Sequence, residues 1–331
     1  MPSLRSLAAE AGVSPMTVSL ALRNHPRISM ATRERIQQLA TLQGYTPDPQ
    51  IATLMHHLRT RRPKRLQAVI ASVTTMTRQQ TNLYSENIAR AARERAVELG
   101  FGFDHIELPR YLDRPGSLNK VLRSRGIEGL VLLPMKEPIT LDPLVDWRSM
   151  SVVATSHSVL SPHFHTILPD GFSSTLLMCG RLKELGFRRI GLVLSSDMEE
   201  RSRHNITSAI LWHNAYAGVE QVAPLIIPSG DTRRFADWLE QEQPDAIISE
   251  NRDPGALLRW MGVGSGKKRP SFYFAGISLG AGDKAAGILQ REEEIGRTAV
   301  ELLAGMLQRG EKGIPGHPTL TLIPGVWKNP K

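Results

Sequence analysis

Gly12, Ser14 and Pro15 stand at the corner between two apolar-periodic stretches, 4–11 and 15–23, and gather side chains able to grip nucleic acid. Gly12 suits a turn that needs an unhindered backbone, the Ser14 hydroxyl can cap the second helix, and Pro15 fits a first-turn position that needs no amide donor. At about 100° per residue, Val18, Ala21 and Leu22 share one side of the second stretch, while Met16, Ser19, Leu20 and Arg23 occupy the other. Hydroxyls at Ser14, Thr17, Ser19, Ser29 and Thr32, with guanidinium groups at Arg23, Arg27 and Arg33, offer donors for phosphate oxygens and base edges. Two short helices meeting at such a corner leave the second face free to enter a major groove.

Charge points the same way. Residues 1–65 carry ten Lys/Arg and three Asp/Glu, so most of the formal +9 of the 331-residue chain sits at one end. Basic residues beside a groove-reading corner are the footprint of phosphate contact, which confers sequence-independent affinity and strong salt dependence. The length exceeds one small reader and, at roughly 100–200 residues per domain, suggests two or three units. No apolar run resembles a signal peptide or reaches the ~20 residues of a membrane span, so the expected location is cytoplasmic. The single cysteine, Cys179, excludes an intramolecular disulfide and a cysteine-based zinc site, and its apolar neighbours favour a buried thiol. No cofactor is expected.

The segment 47–65 reads as a linker with one short helix. Asp48 can cap it, Pro49 suits its first position, and Ile51, Leu54, Met55 and Leu58 form one stripe, followed by a basic tail to Arg65. So short a helix needs a partner for that stripe before it orders, which makes it a candidate switch. From Leu66 onward, strand-like runs (LQAVIASV, GFGFDHIEL, GLVLLP, SVVATS, RIGLVLS, APLIIP, DAIIS and SFYFAG) alternate with helices expected over 82–99, 171–185, 201–216, 232–241 and 254–261. This alternation predicts an α/β fold of doubly wound parallel sheets covered by helices on both faces. The break between two such sheets is expected near 162–169. A helix over 292–308 and a TLTLIPGVW strand should cross back near 290 and 318.

The first stretch resembles the lactose-repressor (LacI/GalR) family of bacterial transcription regulators. It carries the AxxAGVSxxTVSxxL core, a Ser29-x-x-Thr32-Arg33-Glu34 start to a third helix, a closing Gly44-Tyr45 and a proline-led hinge with Leu54. The resemblance implies a three-helix helix-turn-helix domain over 1–46, a hinge and linker over 47–65, and a two-lobed ligand-binding and dimerisation core over 66–331, similar to the periplasmic sugar-binding proteins. It also implies a homodimer on a pseudo-palindromic operator in double-stranded DNA, controlled by a small, carbohydrate-type effector. The family's base-reading positions fall on Pro15, Met16 and Leu20, where Leu20 replaces a frequent arginine. Leu54 matches the hinge leucine that wedges into the minor groove, while Ile51 stands where the family usually keeps a small residue.

Ligands of open α/β sheets gather at the carboxyl ends of strands. That rule selects Ser72 and Thr74 at the end of the first strand and Tyr84 at the start of the next helix. Matching the family's effector positions adds Asp170, Arg203 and Asn251, with Ser278 where the family often has aspartate. Such a set suits a polyhydroxylated ligand, although the absent aspartate sits poorly with a simple pyranose.

Two other classes draw on the same residues. The core alone would suit a stand-alone solute-binding protein, which the basic reader opposes. Gly276-x-Ser278-x-Gly280 fits the pattern of a nucleophile elbow, with Asp283 and His317 following in hydrolase order, but too little chain remains to carry the acid and base. Gly262-x-Gly-x-Gly266-Lys267 lacks the spacing of a phosphate-binding loop. His157, His163 and His165, and the pair His56-His57, lack acidic or cysteine partners at ligand spacing, so no metal is expected.

Overall fold

A computed structural model describes residues 4–22, 28–43, 45, 68–77, 79–80, 82–114, 116–142, 144–228, 233–260, 272–280 and 282–330. The chain divides into two units, Met1–Arg65 and Leu66–Lys331. Arg23, Arg27, Leu54, the hinge helix expected between 48 and 58, His56, His57 and the 262–267 stretch lie outside the described residues.

The first unit holds helices α1 (Leu4–Glu10), α2 (Pro15–Leu22) and α3 (Met30–Leu42). Its core is built from Leu7, Ala8, Ala11, Val18, Ala21, Ile36 and Ala40, and the four alanines let the three helices approach closely. Gly12 takes the left-handed conformation at φ 65°, which explains a glycine at the corner. Two Ser-x-x-Thr caps start the second and third helices. Ser14 Oγ accepts from the Thr17 amide at 3.1 Å, and Ser29 Oγ accepts from the Thr32 amide at 3.3 Å. Side chains of α3 close the other ends, where Arg35 donates to the Ala11 carbonyl at 2.9 Å and Gln37 to the Ala21 carbonyl at 3.3 Å.

The second unit begins with β1 (Val69–Thr74), α4 (Leu83–Glu98), β2 (Gly102–Glu107), α5 (Ser117–Ser124), β3 (Ile127–Leu132), β4 (Ile139–Thr140), β5 (Ser151–Ala154), β6 (Val159–Ser161) and β7 (His165–Asp170). It continues with α6 (Gly171–Glu184), β8 (Ile190–Ser195), α7 (Ser196–Arg201), α8 (Asn205–Tyr216), β9 (Leu225–Ile227), α9 (Arg233–Glu242), β10 (Ala246–Ser249), α10 (Pro254–Trp260), β11 (Tyr273–Leu279) and β12 (Ala286–Leu289). The chain closes with α11 (Glu292–Arg309), β13 (Leu320–Pro324) and β14 (Val326–Lys328).

Twelve of these strands build two six-stranded sheets, ordered β13-β7-β5-β3-β1-β2 and β14-β12-β11-β10-β8-β9, and β4 pairs with β6. The first is parallel throughout. In the second only β14 runs antiparallel, against β12. Strands β1, β3, β5, β8 and β10 are buried over nearly their whole length, as continuous apolar runs covered by helices on both faces must be. Alternate residues feed opposite clusters: Leu130 and Leu132 pack with Leu118 and Leu122 of α5, whereas Val131 and Leu133 pack with Ile88 of α4 and Ile295 of α11. Cys179 sits in the core of the second sheet, where burial pushes its thiol up to about 12.

Three passages join the sheets, and two differ from the sequence expectation. The 162–169 stretch is not a break: it leads into β7, a strand of the first sheet, and the chain passes over at Asp170–Gly171. After β12 the chain returns near 290 into α11, which packs on α4 of the first lobe. Gly296 permits that contact, because a Cβ there would lie 2.4 Å from the Ile88 carbonyl oxygen. The last passage falls at Gly325 rather than near 318, and the expected single strand TLTLIPGVW is two strands, one in each sheet. The helix expected over 201–216 is likewise split. Arg203 and His204 both adopt positive φ, 49° and 61°, between α7 and α8. The Glu199 carboxylate holds the break, 2.8 Å from His204 Nδ1 and 2.5 Å from Thr207 Oγ1.

Candidate nucleic-acid interface and ligand cleft

The first turn of α2 presents Ser14, Pro15 and Met16 outward, and Met16 is 57% exposed despite its apolar side chain. Leu20, one turn on, is half-buried, while Val18 and Ala21 are fully buried beneath it. The outward face therefore combines a thioether, a proline ring and a leucine with only short hydroxyls. Those hydroxyls already serve the helix ends: Ser14 Oγ and Thr17 Oγ1 are 2.9 Å apart, as are Ser29 Oγ and Thr32 Oγ1 at 2.8 Å. A hydroxyl retains further bonding capacity, so phosphate contact remains open to each. Arg33 donates to the Ile28 carbonyl at 3.2 Å, which ties the loop before α3 to that helix.

In the second unit the polar candidates are spread over several elements, and only Asn251 lies in a loop at the carboxyl end of a central strand, β10. Asp170 ends β7 and caps α6, accepting from the Ser173 amide at 2.9 Å. Arg203 is exposed in the break after α7. Asn251 follows β10 and donates to Ser249 Oγ at 3.2 Å. Ser278 is half-buried in β11.

Ser72, Thr74 and Tyr84 are placed differently. Ser72 is buried against His105 Nδ1 at 2.8 Å, on the neighbouring strand. Thr74 is buried too, donating to the Pro134 carbonyl at 3.0 Å and accepting from the Met76 amide at 3.1 Å. Tyr84 packs against the first lobe's core, and burial, then the nearby Glu292, pushes its hydroxyl well above the usual phenol range. All three are engaged within the first lobe.

Sequence reasoning missed the residues that meet across the sheets. Arg201 in α7 donates at 3.0 Å to the carbonyl of Lys136, which follows β3. The Lys136 amide is held in turn by Thr75 Oγ1 at 2.8 Å. Gly280, after β11, leaves room for Arg252, Asp283 and Leu83 of the first lobe, each of which would lie within 4 Å of a Cβ there. Among the described residues no group of three His, Cys, Asp or Glu side chains stands close enough to hold a metal ion. Burial, and then the charge of Arg203, brings the His157 pKa down to about 4.

That depression fixes a sign. An imidazole protonated near 6.5 when unfolded but near 4 when folded contributes stability that is present above 6.5 and lost progressively as pH falls toward 4. Urea unfolding of the parent should therefore lose more stability between these limits than His157→Gln does. Parallel pH profiles for the two proteins would refute the assignment.

The Gly276-x-Ser278-x-Gly280 pattern lies on strand β11 and its exit, without the strand-turn-helix corner a nucleophile elbow requires. Its glycines answer packing: a Cβ on Gly276 would lie 2.4 Å from Leu279 Cδ2 and 3.0 Å from the Asn251 carbonyl oxygen.

Residues 3–48 match the family model described as bacterial regulatory proteins, lacI family. The chain carries a lacI-family domain. The sucrose operon repressors of Shigella flexneri and Escherichia coli are each 27% identical to it over 190 residues, 57% of this chain and 54% of the relative. The chain thus spans about half the length of these curated relatives. Among solved structures, a complex of the transcriptional regulator CelR with cellobiose aligns over 99% of this chain and 98% of that one, with a TM-score of 0.57 at 20% identity. The lac repressor dimer bound to operator and the anti-inducer ONPF aligns over 100% and 98%, at 0.55 and 18%. A putative lacI-family regulator from Rhizobium etli covers 78% of this chain and 96% of its own, at 0.60 and 18%. At such identities the shared property is the fold, in this chain a three-helix unit and two parallel-sheet lobes. No described helix is long and apolar enough to cross a membrane.

Proposed function

We propose that this chain is a cytoplasmic, sequence-specific DNA-binding repressor that acts as a homodimer and is controlled by a small, carbohydrate-type effector. The observation that carries the reading is the outward face of α2 on a domain that matches the lacI-family regulators over residues 3–48. In this reading residues 1–46 are the reader, 47–65 the hinge and linker, and 66–331 the effector and dimerisation core. Two readers related by a two-fold axis address a roughly palindromic operator. Ser14, Pro15, Met16, Thr17, Ser19, Leu20, Arg23, Arg27, Ser29 and Thr32 serve the duplex, and Leu54 wedges into its minor groove.

The effector binds at the strand ends of the core, where Asp170, Arg203, Asn251 and Ser278 supply its polar contacts alongside Ser72, Thr74 and Tyr84. Binding shifts the population between lobe arrangements and so biases the hinge, a coupling of about 1–3 kcal/mol in typical cases. The solved structures of similar fold support this reading, since one holds cellobiose and another operator and ONPF.

A mobility-shift assay on random genomic fragments tests it: a retarded, sequence-selective complex is expected, and no complex with any fragment would sink the reading. Leu20→Arg sharpens the test. Leucine can touch a thymine methyl but cannot donate to guanine, whereas a well-placed bidentate arginine adds about 1–3 kcal/mol of discrimination. The substitution should redirect the consensus recovered from a randomised-site selection toward guanine at one position per half-site, without changing the melting temperature. An unchanged consensus would remove Leu20 from the base-reading set.

A further inference from the structure

Thioether sulfurs are placed unevenly between the two units. In the second, Met76, Met135, Met150, Met178 and Met306 are buried and Met198 is half-buried. In the first, Met16 and Met30 are 57% and 72% exposed, and they are the only exposed methionines among the described residues. Their positions correspond. Met16 is the second residue of α2 and Met30 the first of α3, and each stands inside a Ser-x-x-Thr cap, Ser14 to Thr17 and Ser29 to Thr32. Neither side chain belongs to the core that Leu7, Val18 and Ile36 build between the three helices.

We propose that Met16 and Met30 are the sites at which hydroperoxides modify this chain, and that their sulfoxides release the reader from DNA. The inference rests on the reading of α2 as the base-reading helix and adds a control independent of the effector. A sulfur lone pair attacks one peroxide oxygen, the O–O bond breaks, the S–O bond forms, and the peroxide leaves as an alcohol, or as water from hydrogen peroxide. Sulfur gives up two electrons and the peroxide takes them. Two thiols reverse the step, leaving thioether, disulfide and water. Susceptibility follows exposure, which selects these two sulfurs over the buried five. Cys179 offers no competing thiolate, because burial pushes its thiol up to about 12.

The consequence follows from where the new oxygen sits. A thioether is soft and apolar and can pack on a thymine methyl, whereas a sulfoxide is a polar acceptor. On the outward face of α2 that oxygen is pressed against the duplex without a donor and sets partial negative charge beside phosphates. Met30 brings the same group next to the Ser29 and Thr32 hydroxyls. With both sulfurs outside the core, the helices themselves stay packed.

The full chain is treated with hydrogen peroxide, its peptides are resolved by mass spectrometry, and anisotropy follows its binding to a duplex recovered by randomised-site selection. Met16 and Met30 should each gain one oxygen before Met76, Met135, Met150, Met178 and Met306 do. Affinity should fall at least about tenfold, the loss expected when a polar atom is desolvated without a partner. The melting transition should not move, and a methionine sulfoxide reductase with dithiothreitol should restore binding. The double variant Met16→Leu, Met30→Leu, compared with its own untreated sample, should keep its affinity through the same treatment, which separates these sulfurs from Met1, Met55 and Met261. Resistance of Met16 and Met30 to peroxide, their oxidation without loss of affinity, an equal loss in the double variant, or binding lost together with the melting transition overturns the proposal. An untreated chain that binds no duplex overturns the DNA-binding reading, and this inference with it.

Discussion

Gly287→Val should abolish the native fold of the second lobe. Gly287 sits in β12 at φ 146°, a conformation L residues rarely adopt, and faces Gly276 of β11 so closely that a Cβ would lie 2.0 Å from the Gly276 carbonyl oxygen. No rotamer relieves a clash between a Cβ and backbone, so the two strands must separate. Strain of that kind with overpacking costs on the order of 4 kcal/mol or more, a large share of the roughly 5–15 kcal/mol that holds a typical domain. The expected result is insoluble protein, or a soluble chain that has lost its cooperative unfolding transition by circular dichroism. Gly310→Ala supplies the control. Gly310 also has positive φ, at 72°, but nothing lies within 4 Å of a Cβ there, so its cost should stay near ~1 kcal/mol. A Gly287 variant that melts with the parent would show that the strand contact is less tight than described.

DNA affinity should fall by on the order of a thousandfold or more when salt rises from about 50 to about 200 mM, if each dimer neutralises six to ten phosphates in the way typical of such complexes. The motive is the placement of ten Lys/Arg against three Asp/Glu in residues 1–65. A fluorescence-anisotropy titration at several salt concentrations gives the slope, and removal of residues 1–65 should abolish binding altogether. A slope near zero would mean that these charges do not meet phosphates.

The reader was legible because each of its features is local. A glycine at a corner, Ser-x-x-Thr at two helix starts and an alanine-rich stripe are written within a few residues of the contacts they make. Most core strands were legible because parallel strands buried on both faces read as apolar runs. β7 escaped because His165, Pro169 and Asp170 interrupt it. β12 escaped because AGIL is too short to show a pattern. Pro324-Gly325 marks a break within 320–328, but no local pattern reveals that β13 and β14 pair in different sheets.

The ligand cleft was only partly legible for a related reason. Arg203 came from the resemblance, but Arg201 ends α7 and Lys136 follows β3, and only the doubly wound topology brings that arginine to the Lys136 carbonyl. The two consecutive left-handed residues after α7 carry no glycine to announce them. A carboxylate from the preceding helix fixes the break instead.

The final passage at Gly325 bears on how the protein is made. β13 pairs with β7 across a long stretch of chain, as the 2.7 Å contact between His165 Nδ1 and Thr319 Oγ1, 154 residues apart, illustrates. The next strand then completes the other sheet. Neither lobe is continuous in sequence, so a nascent chain paused before residue 320 presents two sheets that each still lack an edge strand. Pairings of such separation form late and leave unpaired edges exposed until they do. The two sheets are therefore completed together, once β13 and β14 have both been made, and a chain cut short before residue 320 lacks an edge strand in each.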